Sequence, residues 1–267
     1  MNKKFVAITG ASSGIGYEAA KAFAKKGKNL IVVARSSDKL EQLKKEILTI
    51  DSSLKVIIKV SDLSQKDNVF AVYDSVKGYD IELWINNAGF GDYSPLNVMD
   101  MDKLETMLGL NVEAVALFST LYTRDFMDTE GAQLINISSV GGYTLVPNAV
   151  MYCATKYFVS AFTEGLSHEL EREGAKMKAK VLAPAATKTN FGNIANDIQD
   201  YDYDKAFGTY HTCEQTVDFL LRLYESDQPI GLVNRDTFEF NLHDYQFSYA
   251  GKSKHNQSIS DKRHRSL

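Results

Sequence analysis

The stretch TGASSGIG, residues 9–16, ends the short apolar run FVAIT and precedes a segment with helical periodicity. It holds three glycines, Gly10, Gly14 and Gly16. Glycine has no Cβ atom, so it accepts positive φ values and lets a ligand or another backbone come close. A helix that begins near Gly14 directs its free N–H groups and the positive end of its dipole at the turn, where a pyrophosphate would sit. The stretch therefore predicts a nucleotide-binding turn between a strand and a helix.

The turn alone does not identify the nucleotide. Flavin, nicotinamide and methyl-donor proteins all use glycine-rich turns, and a purely structural turn is a further alternative. The spacing Gly-x-x-x-Gly-x-Gly also differs from the common Gly-x-Gly-x-x-Gly. The rest of the chain must decide between these interpretations.

Apolar runs of strand length alternate with amphipathic stretches of helical length along the chain, which is typical of a parallel sheet covered on both faces. The pattern predicts an α/β protein: a single-domain Rossmann fold whose doubly wound parallel sheet has seven strands. The expected strands are Phe5–Thr9, Asn29–Ala34, Leu54–Val60, Ile81–Asn86, Gln133–Ser138, Met177–Ala183 and Phe238–Leu242. The expected helices are Gly14–Lys26, Asp38–Ile50, Gln65–Lys77, Leu104–Asp128, Val150–Glu173 and Cys213–Ser226.

One domain is expected over residues 1–250, since 267 residues with 44% hydrophobic content suit one large α/β unit. Residues 184–210 carry acids and tyrosines without periodicity, so we expect a substrate lid there, with a merely solvated acidic loop as the alternative. Residues 251–267 are polar and basic, which predicts a disordered tail.

Charge and cysteine content exclude several partners and compartments. The net charge of −4, with both signs mixed, provides no basic field for nucleic acid and no reason to expect a membrane partner. Cys153 and Cys213 are too few for a disulfide framework and lack metal-ligand spacing. We find no signal peptide and no run of the roughly 18 apolar residues that a membrane helix needs. The expected location is the cytoplasm, with no bound metal.

The end of the second strand indicates which dinucleotide the turn would bind. An acid at this place usually holds the ribose hydroxyls of NAD, whereas an arginine matches the 2′-phosphate of NADP. Here the sequence reads NLIVVARSS, so Arg35 takes the place of the acid and Ser36 can donate a further hydrogen bond. NADP(H) is therefore expected in preference to NAD(H). An exposed arginine at a helix start is the alternative.

The segment YCATK puts Tyr152 and Lys156 four residues apart, on one face of the predicted helix. A tyrosine ordinarily titrates near pH 10, so its pKa must fall by about 3 units for acid-base work near neutrality. The charges of a nearby lysine and of a bound nicotinamide ring would act in that direction. Ser139 follows a strand that ends at the ligand-binding edge of the sheet, where it would hold a carbonyl oxygen for Tyr152. The alternative is that Tyr152 and Lys156 are surface neighbours with no catalytic role.

These features, as a set, resemble the short-chain dehydrogenase/reductase family over residues 5–191. The resemblance also includes Asp62 after the third strand, NNAG at 86–89 and Asn111 of NVEA. It implies the fold, a nicotinamide cofactor and a catalytic tetrad of Asn111, Ser139, Tyr152 and Lys156. By resemblance Tyr152 would transfer the proton, Lys156 would hold the nicotinamide ribose and lower the tyrosine pKa, and Asn111 would fix a water that links Lys156 to solvent. The implied cofactor-binding residues are Gly10, Ser12, Ser13, Gly14, Ile15, Gly16, Arg35, Ser36, Asp62, Leu63, Asn87, Ala88, Gly89, Tyr152, Lys156, Pro184, Thr187 and Thr189.

The sequence departs from the family pattern in three places. Ala185 replaces a common glycine, Ser13 replaces a basic residue of many NADP-binding relatives, and the last strand lacks the usual Asp-Gly-Gly ending. Family tetramers often pair that last strand, so we expect a homodimer through the two long helices, with a tetramer as the further possibility.

The expected function is hydride transfer between NADP(H) and the carbonyl or alcohol carbon of a small apolar substrate. Its pocket would hold Phe90, Tyr93, Tyr143, Val146 and Phe191, although each could instead be a core residue. A non-catalytic NADP(H) sensor is the main alternative. A sugar-nucleotide epimerase or dehydratase would need a larger C-terminal domain.

Overall fold

The computed structural model describes residues 3–252. Strands and helices alternate along this range, as the sequence predicts. The strands are β1 Phe5–Thr9, β2 Asn29–Ala34, β3 Val56–Val60, β4 Ile81–Asn86, β5 Gln133–Ile137, β6 Lys178–Ala183, β7 Ile230–Val233 and β8 Phe240–His243. The helices are α1 Gly14–Lys25, α2 Ser37–Ile50, α3 Lys66–Asp74, α4 Met101–Leu108, α5 Ala114–Phe126, α6 Val150–Glu173, α7 Phe191–Asn196, α8 Tyr203–Phe207 and α9 Cys213–Glu225. Of the expected disordered tail, residues 253–267 lie outside the described residues.

The strands form one sheet in the order β3-β2-β1-β4-β5-β6-β7-β8. All neighbours are parallel except β7 and β8, which pair antiparallel. The α/β class and the doubly wound sheet are confirmed. Between β1 and β4 the strand order changes direction, and ligands of such sheets bind outside the carboxyl ends of the strands at that point.

The described sheet has one strand more than the seven expected. The additional strand, β7, is only four residues long, follows Pro229 and contains Gly231, so it has little of the usual strand pattern. A Cβ on Gly231 would lie 2.8 Å from the Phe240 ring, so the glycine lets the ring of β8 pack over β7. The segment expected as the seventh strand corresponds to β8 and runs antiparallel as an edge.

A hydrophobic core lies on each face of the sheet. On one face α1, α2 and α9 bury Phe23, Leu43 and Leu220 against the strands. On the other, α3, α5 and α6 cover Trp84, whose ring lies 4.9 Å from the ring of Phe118. Helices on both faces explain why most strands read as continuous apolar runs rather than alternating ones.

The helical stretch Met101–Phe126 is long and apolar enough for a membrane span, with a mean hydropathy of 1.3. This corrects the expectation that no segment reaches that length. The stretch joins α4 and α5 through one turn of π-helix, Gly109–Glu113. Its residues Phe118 and Tyr122 are buried against the sheet. Packing in the core therefore accounts for the apolar composition of this stretch.

Candidate active site

The glycine turn between β1 and α1 adopts the conformations that only glycine takes easily. Gly10 has φ +67° and Gly14 has φ +57°. A Cβ on Gly10 would lie 2.8 Å from Ala88 Cα, and one on Gly14 would lie 3.1 Å from Thr189 Cγ2. The turn is therefore close-packed against the loops that follow β4 and β6, where a side chain on either glycine would not fit.

Hydrogen bonds fasten this turn to the loop that follows β4. The N–H groups of Asn87 and Ala88 each donate to Thr9 Oγ1 at 3.0 Å. In return, Asn87 Nδ2 donates to Thr9 O at 2.9 Å. The NNAG segment thus braces the glycine turn, besides lining the same cavity.

A cavity of about 840 Å³ runs along the carboxyl edge of the sheet. Its size falls in the range of small-molecule sites. It is lined by all but one of the residues expected to bind the cofactor, namely Gly10, Ser12, Ser13, Gly14, Ile15, Arg35, Ser36, Asp62, Leu63, Asn87, Ala88, Gly89, Tyr152, Lys156, Pro184, Thr187 and Thr189.

Gly16 is the exception among these residues and corrects that expectation. It is buried in α1 and does not line the cavity. A Cβ at Gly16 would lie 2.5 Å from Asn87 Nδ2 and from Gly10 O. Its part is to let α1 approach the turn, because any larger residue would push the helix away from it.

Two cations lie at the end of the cavity nearest β2. Arg35 directly follows the strand, and Lys39, which sequence reasoning missed, lies one helical turn further along. Both side chains are exposed, and neither forms an ion pair within residues 3–252. Two unpaired cations at one place can bind a phosphate. Lys39 could have been found from the sequence because it lies four residues after Arg35, in the first turn of α2.

The catalytic-tetrad candidate Asn111 lies in the π-helical turn and is completely buried. Its Nδ2 donates to Phe90 O at 2.8 Å and to Thr155 Oγ1 at 3.1 Å, and its Oδ1 accepts from Phe90 N at 3.1 Å. Single π-turns inside α-helices are frequent at functional sites. The π-helical turn places the Asn111 side chain between α6 and the loop after β4.

Lys156 extends from α6 toward the end of β5 and is 6% exposed. Its Nζ donates to Ile137 O at 2.9 Å and lies 5.9 Å from the centre of the Tyr152 ring. Burial lowers the pKa of Lys156 to about 8. The ammonium is therefore still largely charged at neutral pH, with N–H groups left to donate into the cavity.

Tyr152 and Ser139 meet across the cavity from α6 and the end of β5. Burial raises the pKa of Tyr152 above its ordinary value, and a hydrogen bond with the Ser139 hydroxyl opposes this rise. The pKa that we expected Lys156 to lower is thus raised in the protein alone, because burial disfavours the charged phenolate. Ser139 Oγ also accepts from Gly141 N at 3.1 Å, so its own O–H is the group that can donate to Tyr152 or to a ligand oxygen.

Aromatic and apolar groups surround Tyr152. Of the expected pocket residues, Phe90, Tyr93, Val146 and Phe191 line the cavity. The ring of Tyr152 lies 5.4 Å from that of Phe191 and 6.3 Å from that of Tyr93. The phenol group of Tyr152 therefore lies among mostly aromatic and apolar side chains.

Tyr143 does not belong to this pocket, contrary to the expectation. Its hydroxyl donates to Glu164 Oε1 at 2.7 Å, and its ring stacks on Phe247 with the centroids 5.3 Å apart. Glu164 Oε2 also accepts from the N–H groups of Gln246 and Phe247. The buried carboxylate draws Tyr143 away from the cavity and ties the C-terminal segment to α6.

Residues 184–210, expected as a lid, contain α7 and α8 and cover the apolar end of the cavity. Tyr201, Tyr203 and Phe207 line the cavity, none of which the sequence analysis selected. Tyr203 Oη donates to Thr189 O at 3.2 Å and accepts from Gly192 N at 3.1 Å. The segment is therefore packed onto the site rather than merely solvated.

An ion pair fastens the lid to α4. Lys103 Nζ lies 3.1 Å from Asp92 Oδ2 and 2.6 Å from Asp197 Oδ2, and it donates to Ile194 O at 3.3 Å. Asp92 is buried in the loop after β4, and Asp197 directly follows α7. One lysine thus joins three segments at the mouth of the cavity.

Comparisons with known proteins agree on one class of enzyme. The family model for short chain dehydrogenases matches residues 4–199. Dehydrogenase/reductase SDR family member 11 from Gallus gallus is 32% identical over 214 residues, 77% of this chain and 82% of its own. The structure of a short-chain dehydrogenase from Sphingobium yanoikuyae in complex with NADPH is 28% identical, covers 85% of this chain and 86% of its own, and superposes with a TM-score of 0.77. The bulky-bulky ketone specific alcohol dehydrogenase from Comamonas testosteroni is 25% identical, with 86% of each chain covered and a TM-score of 0.75.

Proposed function

The chain belongs to the short-chain dehydrogenase/reductase family, and from this premise we propose an NADP(H)-dependent enzyme that interconverts a carbonyl group and an alcohol on a small apolar substrate. Membership in the family supports an oxidoreductase that uses a nicotinamide cofactor. The observation that best supports the specific proposal is that Ser139, Tyr152 and Lys156 line the same cavity as the glycine turn.

The chain's own donors fit a dinucleotide. Gly10 and Gly14, both with positive φ, form the turn at the start of α1, where free N–H groups suit a pyrophosphate. Thr187 and Thr189 would hold the carboxamide and the phosphates, and Asp62 and Leu63 would contact the adenine. When bound, the cofactor supplies or accepts a hydride.

NADP(H) is proposed over NAD(H) because of the unpaired cations beside the adenosine end of the cavity. Arg35 would bind the 2′-phosphate with its planar guanidinium group, and Lys39 would add a second charge. NADPH in the Sphingobium yanoikuyae relative supports the same preference. Ser36 would donate a hydrogen bond from its hydroxyl to the same phosphate.

Tyr152 is the proposed proton donor to the substrate oxygen in reduction and the acceptor in oxidation. Its raised pKa keeps the phenol protonated at neutral pH, as reduction requires. Ser139 would donate its O–H to the same substrate oxygen, while one lone pair of its Oγ accepts from Gly141 N. The two hydroxyls together would fix the carbonyl within reach of the proton.

Lys156 and Asn111 have supporting parts in this proposal. The remaining N–H groups of Lys156 would hold the nicotinamide ribose, and its charge would ease loss of the Tyr152 proton in oxidation. Both Nδ2 hydrogens of Asn111 are already donated, to Phe90 O and to Thr155 Oγ1. A water between Lys156 and solvent would therefore have to donate to an oxygen atom of Asn111. Asn111 would also fix Phe90, the first pocket residue.

The substrate is proposed to be an apolar aldehyde, ketone or diketone, or the matching alcohol. Phe90, Tyr93, Val146 and Phe191 provide the apolar wall, and the lid residues Tyr201, Tyr203 and Phe207 extend it. Burial of such a substrate would contribute about 25 cal/mol for each Å² of apolar surface removed from water.

We also infer a homodimer formed through α5 and α6. Phe158 and Phe162 stack on the outer face of α6 with their ring centroids 5.5 Å apart, and both are only partly buried in the single chain. An apolar face of this kind suits a partner helix. The free thiols of Cys153 and Cys213 suit the proposed cytoplasmic location.

NADPH oxidation across a panel of aldehydes, ketones, diketones and quinones tests the function. We expect turnover with apolar members and a much weaker rate with NADH. A protein that binds NADPH but reduces no member would contradict the enzyme and favour the non-catalytic sensor.

A further inference from the structure

The hairpin between β7 and β8 brings two residues to the cavity that the proposed function does not use. Arg235 and Phe238 both line it, although they lie more than 45 positions after Pro184 in the sequence. They line the same cavity as Tyr152 and Phe191. The hairpin therefore adds a guanidinium group and a further aromatic ring to the lining of the cavity.

The tip of this hairpin is held by its own hydrogen bonds. Asn234 Oδ1 accepts from Asp236 N at 2.8 Å and from Thr237 N at 3.0 Å. The backbone closes with Asn234 N donating to Glu239 O at 2.8 Å and Phe238 N donating to Asn234 O at 2.9 Å. Arg235 thus lies on a preformed support, which lowers the entropy cost of binding a ligand.

Phe238 is held in an unfavourable backbone conformation beside the cavity, with φ 58°. A conformation of this kind in a residue other than glycine costs of order 1–3 kcal/mol and tends to occur at functional sites. His211 Nε2 lies 3.1 Å from Phe238 O and donates to it when Nε2 carries a proton. Burial lowers the pKa of His211, and this hydrogen bond opposes the lowering. The contact joins the hairpin to the end of the lid.

The guanidinium of Arg235 has no carboxylate partner in the part of the chain that the structure describes. Lys103 is paired with Asp92 and Asp197, and Lys156 is buried with one N–H donated to Ile137 O and the others facing the proposed cofactor. Arg235, by contrast, is an exposed cation of the cavity lining.

Arg235 also lies close enough to α6 to affect it electrically. Its charge acts to lower the pKa of the Cys153 thiol, although burial raises that pKa overall. Cys153 directly follows Tyr152 in α6, and its Sγ would lie 3.3 Å from a Cβ on Gly141. Arg235 therefore lies within electrostatic range of the first turn of α6, where Tyr152 and Cys153 are neighbours.

We propose that Arg235 binds a carboxylate on the substrate, so that the enzyme acts on oxo acids or hydroxy acids with an apolar body. The inference rests on the proposed function and narrows its substrate class. The carbonyl would meet Tyr152 and Ser139, the apolar body would pack on Phe191 and its neighbours, and the carboxylate would reach the guanidinium at the mouth. A guanidinium matches a carboxylate with two parallel N–H···O bonds.

The test compares benzoylpropionate, an apolar oxo acid, with its uncharged methyl ester. We expect Arg235→Gln to lower kcat/KM for the acid about 10- to 100-fold and to change that for the ester less than about twofold. Arg235→Lys should be intermediate, because a lysine keeps the charge without the planar fork. Arg172→Gln is the matched control, since Arg172 pairs only with its neighbour Glu173 at the far end of α6 among the contacts described.

A binding measurement separates this inference from the proposed function. Titration calorimetry gives the Kd of phenylbutyrate, which has no carbonyl to reduce, and of phenylbutyramide, with NADP⁺ present. The expected result is that Arg235→Gln weakens phenylbutyrate alone. If wild type reduces neutral ketones but acid and ester respond equally to Arg235→Gln, or if the variant weakens NADP⁺ instead, the carboxylate site is wrong and the proposed function stands. If phenylbutyrate binding depends on Arg235 while nothing is reduced, the carboxylate site stands and the proposed function fails.

Discussion

Gly10 and Ala88 are in backbone contact: a Cβ added to Gly10 would lie 2.8 Å from Ala88 Cα and 3.0 Å from Ala88 N. The turn after β1 and the loop after β4 therefore close on each other where the strand order reverses. The same loop continues to Gly89 and Phe90, which Asn111 holds. The phosphate-binding end and the reacting end of the proposed site thus share one support.

Gly10→Ala should destabilise the protein and weaken NADPH binding. The new methyl group meets a positive φ as well as the Ala88 backbone, so we expect a loss of unfolding free energy of about 3 kcal/mol or more. Gly27→Ala is the control, because Gly27 also has positive φ, +75°, but has nothing within 4 Å of the added Cβ. It should cost only about 1–2 kcal/mol and leave NADPH binding unchanged. Equal costs for the two variants, measured by urea unfolding, would contradict the close contact.

Arg35→Gln should change the cofactor preference rather than the chemistry. Loss of the guanidinium removes the proposed partner of the 2′-phosphate, so kcat/KM for NADPH should fall about 10- to 100-fold while that for NADH stays within about twofold. Lys45→Gln removes an exposed charge further along α2, outside the cavity, and should alter neither value. An equal fall for both cofactors would show that Arg35 does not select NADP(H).

Lys103→Met should loosen the lid. It leaves Asp92 and Asp197 without their shared cation and frees the carbonyl of Ile194. We expect KM for the carbonyl substrate to rise about 3- to 10-fold with kcat within about twofold, because the lid would spend more time open. Lys205→Met, at an exposed position in α8, is the control. Unchanged KM in Lys103→Met would mean that the ion pair does not hold the lid.

Lys180 should give the protein's stability a measurable pH dependence. Its Nζ donates to the carbonyl oxygens of Leu223, Tyr224 and Ser226, and it is 1% exposed. Burial lowers the pKa of Lys180 from 10.5 to about 8, so between these values the unfolded chain binds more protons than the folded chain. The Lys180 contribution to unfolding free energy therefore rises with pH across that window.

Comparison with Lys180→Met isolates this contribution from those of other groups. The unfolding free energy of wild type minus that of the variant should increase from pH 8 toward pH 10, by at most about 1.4 kcal/mol per pH unit. Urea unfolding at several pH values measures it. A difference that stays constant or falls over the window would contradict the lowered pKa.

Much of the fold could be predicted because the inner strands are buried on both faces. The bounds of β1, β2 and β4 agree with the sequence expectation, since short, largely apolar runs between turn signals leave little choice of strand bounds. β7 escaped prediction because a four-residue strand with a central glycine has no such signal. Residues 230–233 form a strand because they pair with β6 and β8, which lie beside them only in the folded chain.

The site was predictable where a motif is local and not where distant segments meet. Neighbouring residues fix the glycine turn and the Tyr152–Lys156 pair, so the sequence pattern was sufficient. Tyr143 lies in the same loop as Ser139, between β5 and α6. Its hydroxyl, however, donates to Glu164, which is in α6 two or more turns beyond Tyr152 and Lys156. Arg235 reaches the cavity only through the β7–β8 hairpin, which no spacing in the sequence indicates.

The most direct test of the proposed enzyme is the Tyr152→Phe variant, measured for both turnover and NADPH binding. The substitution removes one hydroxyl and keeps the ring that packs against Phe191. We predict that kcat/KM for a reducible ketone falls about 100- to 10,000-fold while the Kd of NADPH changes less than about twofold. Turnover that persists in Tyr152→Phe at the wild-type rate would contradict the account, because the proton would then come from another group.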